Sequence, residues 1–195
     1  TGWQDAQCLA WRLAFVVNGV AHETLLQSYS SERVAAAWEI IDEAGKSTRF
    51  MTPPTRGFRL LRDAVLSLSL SQPFVGPLYH WRTSRPHEYA DSRLNSPGDD
   101  NLLFKTGPGH GAPPQNIRLG ADDYLLDHLG GGFDLLYFTE GPAIPDALQK
   151  VVADTRARGV PLRVVAVGAA APVAGADLTL ADADGHFREI GRAHV

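Results

Sequence analysis

The sequence predicts an α/β protein in which a helical N-terminal segment precedes a smaller βαβ unit. Over residues 1–72, apolar side chains recur at the spacing of amphipathic helices. After residue 116, short apolar runs instead flank one amphipathic helix, as strands do around a crossover. The 195 residues are 44% hydrophobic and 21% charged, which suits one or two globular domains with a buried core.

Three helices are predicted in the N-terminal segment. Residues 3–18 carry apolar residues at i, i+3, i+4 and i+7, and Gly19 supplies a C-terminal stop. The second helix is predicted over residues 23–44, with Gly45 ending it. The third follows Pro54 and ends near residue 72. We expect its apolar stripe to face inward, and this stripe consists of Phe58, Leu61, Val65, Leu66 and Leu68.

The remainder divides into a connector and a βαβ unit. Residues 73–115 are rich in proline and glycine and predict an extended connector. Strands are predicted at residues 133–138 and 162–167, joined by a helix over residues 145–158. Such a pair should be parallel. Shorter strands are predicted at residues 117–119 and 178–180.

Composition excludes several classes of protein. The net charge of −4 gives no positive field for nucleic acid or an anionic membrane, and no run of about 18 apolar residues is present. With Cys8 alone, no internal disulfide, CxxC pair or cysteine zinc site can form, which fits a cytoplasmic protein. The seven histidines have no metal-ligand spacing, so we predict no metal site. We assign no catalytic residue within the chain.

Both ends of the sequence indicate a fragment. The chain opens on Thr1 without an initiator methionine, directly into a predicted helix. Residues 190–195 read IGRAHV, like the in-frame translation of a sequencing adapter. We therefore expect a chain cut at both ends, with residues 190–195 an artefact.

Residues 1–13, TGWQDAQCLAWRL, resemble a signature of FAD-dependent aromatic-ring monooxygenases. The elements T-G-x-Q-D-A and L-A-W-[RK]-L match in register, with Cys8 where asparagine is usual. Residues 25–33, LLQSYSSER, resemble the family's L-L-x-S-Y-x-x-E-R-R-P, although Val34 and Ala35 replace its last arginine and its proline. Three shorter stretches also look like this group: 51–54 (MTPP), 62–64 (RDA) and 89–92 (YADS).

The C-terminal part resembles the thioredoxin-like domain that ends the phenol hydroxylase and hydroxyphenylpropionate hydroxylase branch. Residues 125–130 (LLDHLG) and the two apolar strands carry this resemblance. It implies that residues 1–72 are the last helices of the FAD-binding monooxygenase region and that residues 116–189 are a truncated thioredoxin-like domain. Because residues 116–188 contain no cysteine, that domain would be structural rather than redox-active.

The resemblance implies FAD as cofactor, NAD(P)H as co-substrate, and hydroxylation of a small phenolic substrate by O2. It also implies that Thr1, Gly2 and Trp3, at the start of the first helix, contact the flavin. A helix N-terminus offers free N–H groups and a positive dipole end to the negative charge of reduced flavin. Glycine allows close approach of the backbone. The resemblance also implies a homodimer as the candidate oligomer.

Other interpretations stay open at this point. No G-x-G-x-x-G follows a strand in this sequence, so the fold that holds the ADP part of FAD is absent, and we expect this chain alone to be inactive. Thr1 and Gly2 could form an ordinary helix start. The chain could instead be a non-catalytic α/β interaction or dimerisation module. A thioredoxin or thiol peroxidase relative is disfavoured, because no cysteine follows Cys8.

Overall fold

A computed structural model describes residues 2–79, 87–95, 108–182 and 185. Three helices come first, α1 (Gly2–Val17), α2 (Leu25–Met51) and α3 (Arg56–Ser69). Helix α1 packs on α2, and α2 contacts α3. A 3₁₀ helix, Pro73–Leu78, follows and packs on α3.

Helix α2 runs past Gly45, so the predicted end at that residue is wrong. One glycine inside a helix costs only about 1 kcal/mol relative to alanine. Lys46 in the next turn supports the helix through ion pairs of 2.7 Å with both Asp42 and Glu43. The helix ends at Met51. The next residue, Thr52, precedes Pro53, and a proline disfavours helical backbone in the residue before it.

Helix α3 begins at a capped end, but its apolar stripe does not face inward as predicted. The hydroxyl of Thr55 accepts a hydrogen bond from the Phe58 N–H at 3.4 Å. Of the stripe, Val65 is buried. The other four side chains, Phe58, Leu61, Leu66 and Leu68, are 41–56% exposed. The described residues therefore cover one side of α3 and leave most of its apolar face open.

The predicted connector lies partly outside the described residues, which omit 80–86 and 96–107. Apart from the 3₁₀ helix, its described portions, residues 87–95 and 108–115, form turns and irregular backbone. Residues 87–95 lie against α2, through Tyr89 and Ser92.

The C-terminal unit is built on a three-stranded parallel sheet. Its strands are β3 (Phe133–Phe138), β4 (Leu162–Val167) and β5 (Leu178–Leu180), in that order across the sheet. Helix α5 (Asp146–Ala157) connects β3 to β4. The predicted parallel pair and the short third strand are thereby confirmed.

A small hairpin precedes this sheet. Strands β1 (Arg118–Gly120) and β2 (Asp123–Tyr124) pair antiparallel, and a single helical turn, α4 (Leu125–His128), follows. The hairpin turn holds Asp122 at φ 55°, a left-handed conformation that aspartate tolerates better than most residues.

The core lies on both faces of the sheet. Val164, Val165, Ala166 and Val167 of β4 are each at most 1% exposed, although their side chains alternate between faces. Ile117, Leu119 and Leu125 cover one face, and Ile144, Val152 and Val173 cover the other. Coverage of both faces explains why β4 reads as a continuous apolar run.

Helix α1 reaches this sheet through aromatic side chains. The rings of Trp11, Phe15 and Phe133 form an edge-to-face cluster with centroids 5.6–5.8 Å apart. The architecture is thus mixed α/β, as predicted, and the thioredoxin-like identity of residues 116–189 stays a prediction. No helix in the described part of the chain is long and apolar enough to cross a membrane.

Candidate functional site

The candidate site is the first turn of α1. Thr1 lies outside the described residues, whereas Gly2 and Trp3 are consecutive in this turn and exposed, Trp3 by 86%. A Cβ placed on Gly2 would meet nothing within 4 Å. An α-helix leaves its first four N–H groups without intrahelical acceptors. The described structure therefore leaves this helix end open to a ligand.

An ion pair from α2 fixes the same turn. Asp5 of α1 accepts a hydrogen bond from the Arg33 Nε at 2.5 Å. Arg33 is 5% exposed, and its Nη1 donates to the hydroxyl of Tyr89 at 2.5 Å. We call Asp5, Arg33 and Tyr89 the arginine clamp. It joins α1, α2 and the irregular segment 87–95 at one point.

The environment of Arg33 keeps its guanidinium charged. Burial by itself lowers the pKa of Arg33, but the hydrogen bonds to Asp5 and Tyr89 outweigh burial and raise the pKa above its ordinary value. Its Nη2 is buried and has no hydrogen-bond partner among the described residues. A permanently charged side chain thus anchors the carboxylate of Asp5.

Tyr89 is itself held by backbone contacts. Its N–H donates to the Gly111 carbonyl at 2.9 Å, and its own carbonyl accepts from the Asn95 side chain at 2.8 Å. Gly111 has φ 73°, and a Cβ there would lie 2.2 Å from the backbone carbonyl oxygen of Tyr89. Only glycine fits this approach without a backbone shift.

A second buried ion pair lies deeper between α1 and α2. Arg12 and Glu32, 1% and 8% exposed, are joined by Nη2 and Oε2 at 2.5 Å. Arg12 also donates from Nε to the Ser28 hydroxyl at 2.9 Å and from Nη1 to the Cys8 carbonyl at 2.8 Å. The Ser92 hydroxyl donates to Glu32, so segment 87–95 takes part here as well. Buried charges of this kind persist because they are paired and hydrogen-bonded.

Sequence reasoning did not assign a role to Arg12, Glu32, Arg33 or Tyr89. The signal was present, because they lie within the stretches that carry the resemblance. Asp5 and Arg12 belong to residues 1–13, Glu32 and Arg33 to residues 25–33, and Tyr89 to residues 89–92. Three stretches that are distant in sequence therefore meet along α1, at the arginine clamp of its first turn and at the deeper pair of Arg12 and Glu32.

The C-terminal unit also carries polar pairs, and these support the fold. Arg163 donates to Asp134 at 2.7 Å across β3 and β4, and His128 pairs with Asp123 at 2.6 Å. Within the described ranges, no group of three or more histidine, cysteine, aspartate or glutamate side chains could hold a metal ion. The candidate site therefore remains at α1.

A match to a known family falls at the same end of the chain, and similar proteins match most of the chain. Residues 1–44 match a family described as FAD binding domain. The chain is 41% identical over 134 residues to 3-(3-hydroxy-phenyl)propionate/3-hydroxycinnamic acid hydroxylase of Mycolicibacterium vanbaalenii, with 68% of this chain and 24% of that protein covered. It is 28% identical over 201 residues to tetracenomycin A2 monooxygenase-dioxygenase of Streptomyces glaucescens, with 95% and 30% covered. The chain thus spans 24% and 30% of the length of these two relatives.

Solved structures with a similar fold come from RebC. The rebeccamycin biosynthetic enzyme RebC with reduced flavin aligns with a TM-score of 0.57 and 24% identity, covering 98% of this chain and 35% of that one. RebC soaked with chromopyrrolic acid, with bound 7-carboxy-K252c, aligns with a TM-score of 0.53 and 26% identity, covering 86% and 33%.

The sequence matches confirm the resemblance stated from residues 1–13. Over part of their length, the chain is similar to FAD-dependent aromatic hydroxylases. The α/β architecture agrees with the RebC fold.

Proposed function

We propose that this chain is part of a flavin-dependent monooxygenase that hydroxylates a small phenolic or other aromatic substrate with FAD, NAD(P)H and O2. The match of residues 1–44 to a FAD binding domain and the names of the relatives support the proposal. The observation that carries it is the open first turn of α1, at the residues where the family signature falls.

The residues at the start of α1 fit the flavin end of FAD. Thr1, Gly2 and Trp3 would hold the flavin ring, with Gly2 giving room for the helix backbone to approach. Free N–H groups and the positive helix end favour the negative charge of reduced flavin. When bound, FAD supplies the electrons and the oxygen chemistry of the hydroxylation. The protein's own part at this site is to bind and orient the ring.

We further propose that the 195 residues alone neither hold FAD tightly nor hydroxylate a substrate. They span at most about a third of the relatives compared above, and their sequence has no G-x-G-x-x-G after a strand. We place the protein in the cytoplasm, without nucleic-acid or membrane partners. A homodimer is the assembly we propose for the whole enzyme.

A non-catalytic interaction module is the second candidate, and exposed apolar side chains on α2 favour it. Val34, Trp38 and Ile41 share one helical stripe and are 55–68% exposed. Such a stripe would suit a protein partner. The following experiment separates the two functions.

The test is to read the source DNA around these codons and express the complete reading frame. We expect flavin absorbance to co-purify with the protein and phenols to stimulate NAD(P)H oxidation. The 195-residue chain, prepared in parallel, should show neither. A start codon directly before Thr1, with no flavin-binding fold in frame, would refute the enzyme proposal and leave the interaction module.

A further inference from the structure

We infer that Arg33 is a positioning residue for the flavin end of α1, acting through Asp5 and held in place by Tyr89. This inference rests on the proposed function, because it concerns how the first turn of α1 is aimed at the cofactor. Arg33 would touch neither flavin nor substrate. Its role would be to fix where the free N–H groups of Gly2 and Trp3 lie.

The arginine clamp holds the turn of α1 that would face the flavin. Asp5 stands in the first turn of α1, one helical turn from Gly2. Its carboxylate is bound at 2.5 Å by a side chain from α2 that is 28 residues away in sequence and 5% exposed. Arg33 is buried while Asp5 is 37% exposed, so this charge-assisted hydrogen bond is partly shielded from water and holds geometry more firmly than a fully exposed ion pair.

The arginine clamp is itself anchored to the backbone through Tyr89. The Tyr89 hydroxyl accepts from Arg33 Nη1, while the Tyr89 backbone is fixed by Gly111 and Asn95. Arg33 therefore links the carboxylate of Asp5 to the anchored hydroxyl of Tyr89 with one planar group. Lysine carries the same charge but lacks the guanidinium fork that reaches both acceptors.

The charge of the arginine clamp suits a site for reduced flavin. A bare carboxylate in the first turn of α1 would offset the positive end of the helix dipole. Here the carboxylate of Asp5 lies directly against Arg33, so the pair presents little net charge to the helix end. The clamp thus fixes the turn without cancelling the positive end that would favour reduced flavin.

The deeper pair of Arg12 and Glu32 has a different task. It lies about two turns further along α1 and is enclosed between the helices. With the aromatic cluster of Trp11, Phe15 and Phe133, it would keep α1 docked after the clamp is removed. Loss of the clamp should therefore loosen the helix end and leave the fold in place.

The experiment uses the FAD-loaded protein from the complete reading frame. Arg33→Lys keeps the charge and removes the fork, and Tyr89→Phe removes only the accepting hydroxyl. Arg49→Lys, an exposed arginine at the last turn of α2, is the matched control. The readouts are hydrogen exchange at the amides of residues 6–9, whose bonds close the first turn of α1, and the midpoint potential of the flavin.

We expect both clamp variants to speed exchange at residues 6–9 by about tenfold or more, with unchanged far-UV circular dichroism. A tenfold loss of preference for reduced over oxidised flavin would lower a two-electron midpoint potential by about 30 mV. Arg49→Lys should change neither quantity. If Arg33→Lys fails to fold, Tyr89→Phe carries the test.

The outcomes separate the inference from the proposed function. Unchanged exchange in the clamp variants overturns the inference. Faster exchange with FAD bound and an unchanged potential also overturns it, while the flavoenzyme proposal stands. If the wild-type protein takes up no FAD, the proposed function fails, and the positioning role fails with it.

Discussion

Gly2 is the residue at which flavin contact can be tested with little effect on the fold. A Cβ there meets nothing within 4 Å, so Gly2→Val should leave the melting temperature unchanged. In the FAD-loaded protein the added side chain would keep the helix end away from the ring. We expect FAD affinity to fall by about tenfold, or about 1.4 kcal/mol, in a fluorescence titration.

Gly57→Val is the control for Gly2→Val. Gly57 lies in the first turn of α3, and a Cβ there meets only the Thr55 hydroxyl at 3.8 Å. The same change at the start of another helix should leave FAD affinity unaltered. Equal affinity in wild type and Gly2→Val would show that this glycine does not face the cofactor.

Gly111 offers a residue-scale test of the anchor behind the arginine clamp. In Gly111→Ala, the left-handed backbone at φ 73° costs about 1–2 kcal/mol of stability. The added Cβ would also lie 2.2 Å from the backbone carbonyl oxygen of Tyr89. We expect urea denaturation to show a destabilisation of about 2 kcal/mol or more. Gly19→Ala shares the left-handed backbone at φ 70° but meets no atom within 4 Å. Equal losses in the two variants would mean that the contact with Tyr89 adds nothing.

At the scale of elements, Asp134 and Arg163 tie β3 to β4 at directly paired positions of the parallel sheet. Burial alone raises the pKa of Asp134, but hydrogen bonds from Arg163 and from the Gly130 N–H outweigh burial and lower the pKa. Because the folded-state pKa lies below the unfolded value, this pair stabilises the fold above the unfolded pKa. That stability is lost as pH falls through the lowered folded-state pKa.

Asp134→Asn should therefore lower the melting temperature by a few degrees at pH 7, and the difference from wild type should shrink as pH falls below about 4. Asp127→Asn, at an exposed carboxylate on α4, is the control and should change little at either pH. A difference for Asp134→Asn that stays constant from pH 7 to pH 2 would exclude this linkage. Thermal denaturation followed by circular dichroism across that range decides the matter.

The elements also show what the sequence could predict and what it could not. β3 and β4 were predictable because apolar runs of strand length are bounded by Gly132 and Gly168. Periodicity in α2 shows which side chains share a face, but not which face is covered. There the buried residues are Ser28, Glu32, Arg33 and Ala36, while the apolar stripe stays exposed. Their burial depends on Arg12, Asp5 and Ser92, which are distant in sequence.

At the scale of the whole molecule, the described helices leave much apolar surface uncovered. Val34, Trp38 and Ile41 of α2 are 55–68% exposed, as are Leu60 and Leu61 of α3 at 62% and 56%. Monomeric soluble proteins rarely leave large apolar patches in water. In the complete enzyme that we propose, other parts of the protein would cover these stripes.

The 195-residue chain expressed alone should therefore self-associate and bind a hydrophobic dye. The double variant Trp38→Gln, Ile41→Gln should shift the mass from light scattering towards that of one chain, because it removes two apolar side chains from one helical stripe. Val151→Gln changes a side chain that is 60% exposed on α5 and should leave association unchanged, since that residue lies outside the α2 stripe. If the wild-type chain is monomeric at about 50 μM and binds no dye, its helices need no covering partner. A chain that folds completely by itself would count against the flavoenzyme proposal and in favour of an independent interaction module.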